Sequence, residues 1–133
     1  PIALTAFFIF SSPQVKAILA HMGDLMDWVL SMLQGEPRWN NATPLAWDAE
    51  IARFFASLKT VDDYLASGAP IHWEPGSVFQ GGLADALTHT GQLAMLRRLG
   101  GFKMMGASYA KADIEVGRVG LEQVPANPAY EFD

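Results

Sequence analysis

The chain has 133 residues, half of them apolar, which suits one compact domain with a real core and excludes disorder. It carries no cysteine, so disulfides, a thiolate nucleophile and a cysteine metal cage are all excluded, and any metal must rest on His, Asp or Glu. A net charge of -5 argues against a nucleic-acid surface, and Arg97, Arg98 and Lys103 are too small a basic cluster to offset it.

Residues 1–11 open with PIALTAFFIF, an apolar lead-in rich in β-branched and aromatic residues that suits a short extended segment. It has no basic leader or small-residue cleavage site, and is about half the ~20 residues that span a bilayer. A soluble, cytoplasmic protein is therefore expected. The Pro1 start is expected to follow a loss of residues to processing, a fusion tag or disorder.

Ser12 before Pro13 supplies an N-cap and a preset first helical residue, and Gly35 supplies a stop, which predicts a helix from Pro13 to Gln34. Its apolar stripe is Val15, Ile18, Leu19, Met22, Leu25, Met26, Val29 and Leu33. His21 and Trp28 share the flank of that stripe, and Asp24 and Asp27 are expected to face water. Thr43-Pro44 repeats the cap-then-proline pattern and predicts a second helix from Pro44 to Ala66, with Trp47, Ile51, Phe54, Phe55, Leu58, Val61 and Leu65 on its core face. The text from Gly68 to Gln80, with two prolines and two glycines, reads as a loop crossing one end of a bundle.

A third helix is expected from Gly81 to Gly100. At ~100° per residue, Asp85, His89, Gln92, Leu93, Leu96 and Leu99 share one sector, with Thr90, Arg97 and Arg98 opposite, so the leucines aim the Asp–His pair inward. SYAKADIEVG suits a short helix, and residues 117–133 an irregular tail packing its apolar side chains back on the body. Residues 1–133 are read as a single all-α, four-helix-bundle-like domain, in which a fourth long helix is hard to find.

Asp85 and His89 stand one turn apart, with Cβ atoms ~5–6 Å from each other, close enough to share one ion or to hydrogen-bond directly. A metal needs a ligand from another helix, and His21 is the well-placed one. Two histidines and one carboxylate with open positions suit a catalytic zinc, nickel, iron or manganese. Gln92 suits a hydrogen-bonding support for His89. His72 reads as a solvated loop residue, although the loop could bring His72 or Glu74 over the site. Met22, Met26, Met32, Met104 and Met105 read as core filler, and Arg97 and Arg98 as partners of the helix C-terminal dipole.

AHMGDLMDW around His21, RFFASLKTVDDYLA from Arg53, and above all ADALTHTGQLAMLRRLGG from Ala84 resemble the DinB-like family of metal-binding helical bundles. The resemblance covers most of the chain from Ser12, and the histidine followed by x-Gly-Gln is its most specific element. It implies a four-helix bundle with a divalent metal, whose first and last histidine ligands fall on His21 and His89. The family's middle histidine is Asp85 here, which implies a His–Asp–His set and a harder ligand field. The resemblance further implies a metal-dependent transferase or isomerase that uses a low-molecular-weight thiol, with Glu74 or His72 as a candidate base. Non-catalytic metal binding and an apo interaction domain are the alternatives. The family's first long helix is missing before Pro13, so an apolar groove on the first helix is expected, closed by a homodimer or by residues preceding Pro1.

Overall fold

The computed structural model describes residues 12–125 and 127–132. The extended lead-in expected at residues 1–11 lies outside that range. Helix α1 spans Pro13–Leu33, α2 Trp47–Ala66, the short α3 Pro75–Val78 and α4 Ala84–Leu99, with a π turn at Phe79–Leu83 joining the last two into one continuous rod. The fold is all-α, with three long helical arms and only a two-residue ribbon of strand among the described residues. No fourth long helix completes a bundle among them.

Helix α1 begins and ends as its sequence dictates. Ser12 Oγ accepts the amide of Val15, Pro13 needs no partner for an N–H it lacks, and Gly35 leaves the helix with φ of +80°. Its stripe is the core of the molecule: Val15, Leu19, Met22, Leu25, Met26, Val29 and Leu33 are buried as expected, Ile18 is half-buried, and Met32 joins the buried set. The buried residues are covered within the chain itself. Val61, Val78 and Ala86 complete the cluster, with Phe54, Leu58, Tyr64 and Leu83 packed against it.

The helices α1 and α2 run parallel. Arg53, near the start of α2, meets Ala20 and Asp24 of α1, while Tyr64 near its end donates to the carbonyl of Leu33. Parallel neighbours need a long return path, supplied by residues 34–46, which run back along α1 in extended form. Ser31 Oγ accepts the Arg38 amide at 2.9 Å, and Asp24 Oδ2 accepts the Ala42 amide at 3.0 Å. The rod α3–α4 runs antiparallel to α1, with the amide of His72 on the carbonyl of Leu33 at one end and Asp85 beside His21 further on.

Several expectations need correction. The second helix starts at Trp47 rather than Pro44, because Glu50 Oε1 holds the Leu45 amide at 2.8 Å outside the helix and Ala46 becomes the cap residue. Of its expected core face only Val61 is fully buried, and Leu65 is half exposed. The loop expected to reach Gln80 ends at Glu74, whose carboxylate caps the amides of Gly76 and Ser77 and so starts a helix at Pro75. The leucine row on α4 does not stay inward: Leu93 and Leu96 are half-buried and Leu99 is exposed, because the rod extends beyond the end of its contact with α1. SYAKADIEVG forms turns instead of a short helix, since the Ser108 amide donates to Tyr130 and Gly117 takes φ of +78°.

That tail is irregular as expected, and it returns as a ribbon in which Gly106 pairs with Phe132 and Ala107 with Glu131. Val119 and Tyr130 are half-buried, whereas Val116, Leu121 and Val124 stay exposed. Met22, Met26 and Met32 are core residues, but Met105 is exposed. Arg98 donates to the carbonyl of Met104 and Arg97 lies over the Phe102 ring, so both fasten the turn after α4.

Candidate metal centre

Two glycines on the π turn bring α4 against α1. A Cβ on Gly81 would stand 3.2 Å from the ring of Trp28, and one on Gly82 only 2.1 Å from Val29 Cγ2. Absent those side chains, the rod lies close enough for Asp85 and His89, one turn apart at the start of α4, to face His21 of α1. The π turn adds a residue to the local repeat and so sets which side of the rod they occupy.

Asp85 stands between the two imidazoles. Its Oδ2 is 3.5 Å from His21 Nε2 and its Oδ1 is 3.6 Å from His89 Nε2. One ligand atom from each of the three residues lies within 4.8 Å of the others. Both Asp–His separations exceed an ordinary hydrogen bond and run to different carboxylate oxygens; each is near the ~3.4 Å spacing of two ligands on one tetrahedral ion with bonds of ~2.1 Å, while the set as a whole spans up to 4.8 Å.

Gln92 Oε1 lies 2.8 Å from His89 Nδ1, placed to accept a hydrogen bond from an Nδ1–H. A neutral ring of that tautomer offers the Nε2 lone pair to a metal ion, and a doubly protonated ring donates from Nε2 toward Asp85. The donor set fits a divalent metal.

The surroundings leave one side open. His21 and Asp85 are about one-third and two-fifths exposed, while His89 is more enclosed at 19%. The imidazoles of His21 and His89 meet edge to face with centroids 4.8 Å apart. Trp39, from the return segment, packs its ring 5.5 Å from His21 and 5.9 Å from Trp28, making an aromatic wall beside His21. A tryptophan in an EPRWNNAT loop gave no signal of this placement; only the path of residues 34–46 along α1 creates it.

The sequence brought His21, Asp85, His89 and Gln92 together correctly. It did not place the candidate bases. His72 packs over Gly35 beyond the C-terminal end of α1, about 18 Å along that helix from His21 at 1.5 Å per residue. Glu74 is committed to capping α3, and the backbone amides of Gly76 and Ser77 hold its carboxyl below the usual carboxylate value. Neither residue reaches over the centre.

Asp24 was expected in water but is buried, at 2% exposure. The reason is Arg53, whose Nη1 reaches Asp24 Oδ1 at 2.9 Å and whose Nε reaches the fully buried Glu50 at 3.0 Å. Burial works to lower the guanidinium pKa, but the hydrogen bonds to Glu50 and then Asp24 outweigh it and raise the value. Among the described residues no buried side-chain nitrogen or oxygen lacks a partner.

Comparison of the chain with protein-family models, with curated proteins and with solved structures returns no match. No helix among the described residues is long and apolar enough to cross a membrane. The centre is thus defined by its geometry: a His–Asp–His group, open on one side, in an all-α chain.

Proposed function

We propose that this chain is a divalent-metal protein of the DinB-like kind, and that its centre is catalytic. The observation that carries the reading is the placing of Asp85 at 3.5 and 3.6 Å from two imidazole nitrogens, too far for good hydrogen bonds and right for ligands of a shared ion. His21, Asp85 and His89 would hold zinc, nickel, iron or manganese, with Gln92 fixing the His89 tautomer. The exposure of His21 and Asp85 favours a centre with open positions over a closed structural one.

A bound divalent ion supplies Lewis acidity, lowering the pKa of a thiol so that it is a nucleophile at neutral pH. The reaction class proposed is transfer to, or isomerisation of, an electrophile by a low-molecular-weight thiol. This explains how a chain without cysteine could perform thiol chemistry. The protein's own residues orient the ligands: Gln92 through His89, Trp39 against His21, and the Gly82 contact by setting the distance between α1 and α4.

The test is consumption of a small thiol with an electrophilic acceptor by metal-reconstituted protein. Turnover that disappears with a chelator, returns on adding metal and is absent in His89→Ala supports the reading. Stoichiometric metal without metal-dependent turnover across glutathione-, cysteine- and sugar-thiol cosubstrates would leave the non-catalytic metal protein as the better account.

A further inference from the structure

We infer that Arg53 is a positioning residue for this centre: it sets the placement of His21 by clamping the α1 backbone beside it together with the segment that carries Trp39. The part of this inference that concerns metal rests on the reading above; the part that concerns His21 does not.

The guanidinium reaches three partners on two elements. Arg53 Nη2 donates to the carbonyl of Ala20, the residue immediately before His21. Nη1 donates to Asp24 Oδ1 at 2.9 Å, one turn further along α1, and Nε donates to Glu50 Oε2 at 3.0 Å on its own helix. Each carboxylate spends its second oxygen on the return segment: Asp24 Oδ2 accepts from Ala42, and Glu50 Oε1 from Leu45. Arg53 thus pairs its single charge with two buried acids that hold two amides of one strand of chain. Asp27 adds little, being 3.6 Å away and half exposed.

That strand delivers Trp39 three residues before Ala42. The Trp39 ring packs edge to face on His21, and so does the ring of His89. Gly23 is the space that permits the arrangement, since a Cβ there would stand 2.8 Å from the guanidinium carbon. With Arg53 removed, two uncompensated carboxylates would remain at 2% and 0% exposure, and they would draw in water or swing outward. The amides of Ala42 and Leu45 would follow, and Trp39 with them. A lysine cannot substitute, because an ammonium lacks the planar fork that meets the three acceptors.

The experiment compares the parent with Arg53→Met, Arg53→Lys and Gly23→Ala. Gly23→Ala keeps the arginine but displaces its guanidinium, so it serves if Arg53→Met does not fold. Two readouts are taken that loss of stability alone would not move: the ring-proton shifts of His21 in metal-free protein, which sense the Trp39 ring, and the affinity and visible spectrum of added cobalt(II). Arg53→Met is expected to shift the His21 ring signals and weaken cobalt(II) binding by roughly tenfold or more, with helical circular dichroism retained. Arg53→Lys and Gly23→Ala are expected to change both in the same direction by less. Variants that melt earlier but keep parental His21 shifts and cobalt(II) affinity would overturn the inference. If the parent binds no cobalt(II), the metal reading fails by itself, and the His21 shifts of the metal-free variants decide the role of Arg53.

Discussion

Gly82 turns a bare α-carbon toward Val29, so close that a methyl group there would lie 2.1 Å from Val29 Cγ2. This contact sets the distance between α1 and α4, and therefore between His21 and Asp85. Gly82→Ala should cost about 1–3 kcal/mol as the helices are pushed apart. It should also weaken metal binding, and Val29→Ala, by removing the obstructing methyl, should recover part of both losses in the double variant. Denaturant melts and chelator competition on the two single variants and the double variant check this. Full additivity of the two substitutions would show that the contact does not set the spacing.

Asp24 and Arg53 form a pair in which the acid is buried, and removing Asp24 leaves Arg53 with Glu50 as its close partner while the Ala42 amide loses its acceptor. Asp24→Ala should destabilise the chain by about 1–3 kcal/mol. That is a large part of the ~5–15 kcal/mol that holds a typical domain together. Equilibrium urea unfolding measures it, and a loss below about 1 kcal/mol, as for an exposed pair, would show that the pair is solvated.

Gln92 Oε1 stands 2.8 Å from His89 Nδ1, placed to accept from an Nδ1–H and so leave Nε2 for a ligand. Gln92→Leu should lower metal affinity by about 10–100-fold with little change in helix content, whereas Gln92→Glu, which keeps an acceptor at that place, should stay near the parent. Competition against a chelator of known strength separates the two. Equal losses for both variants would remove the hydrogen bond from the account.

Glu74 gives a pH dependence whose sign is fixed. Its carboxyl is held below the usual value by the amides of Gly76 and Ser77, so the ionised form is favoured in the folded chain. The stability it contributes is present above its unfolded pKa and is lost as pH falls through the lower, folded value. The stability difference between the parent and Glu74→Gln should therefore be largest near neutrality and shrink in strong acid. A difference that grew on acidification would contradict the capping role.

What the sequence revealed and what it hid divide on physical lines. Ser12, Pro13 and Gly35 act within one turn of chain, so the limits of α1 could be read directly, and so could the i,i+4 relation of Asp85 and His89. Asp24 could not be placed from a helical wheel, because what takes it out of water is an arginine 29 residues later. Glu50 and Arg53 did carry a signal, an i,i+3 acid–base pair beside the apolar face of α2, but only the parallel packing of α1 and α2 gives it a meaning. Trp39 was hidden for the same reason. The short helix expected after Ser108 failed because the local pattern competed with pairing to Tyr130, a partner far along the chain.

The central claim is that His21, Asp85 and His89 share an ion, and elemental analysis of purified parent protein beside Asp85→Ala and His89→Ala tests it most directly. Near-stoichiometric metal in the parent, lost in both variants while their helical spectra persist, is the predicted result. A parent that carries no metal, and takes up none from added zinc, nickel, manganese or iron, would contradict it and leave Asp85 and His89 as a proton-sharing pair.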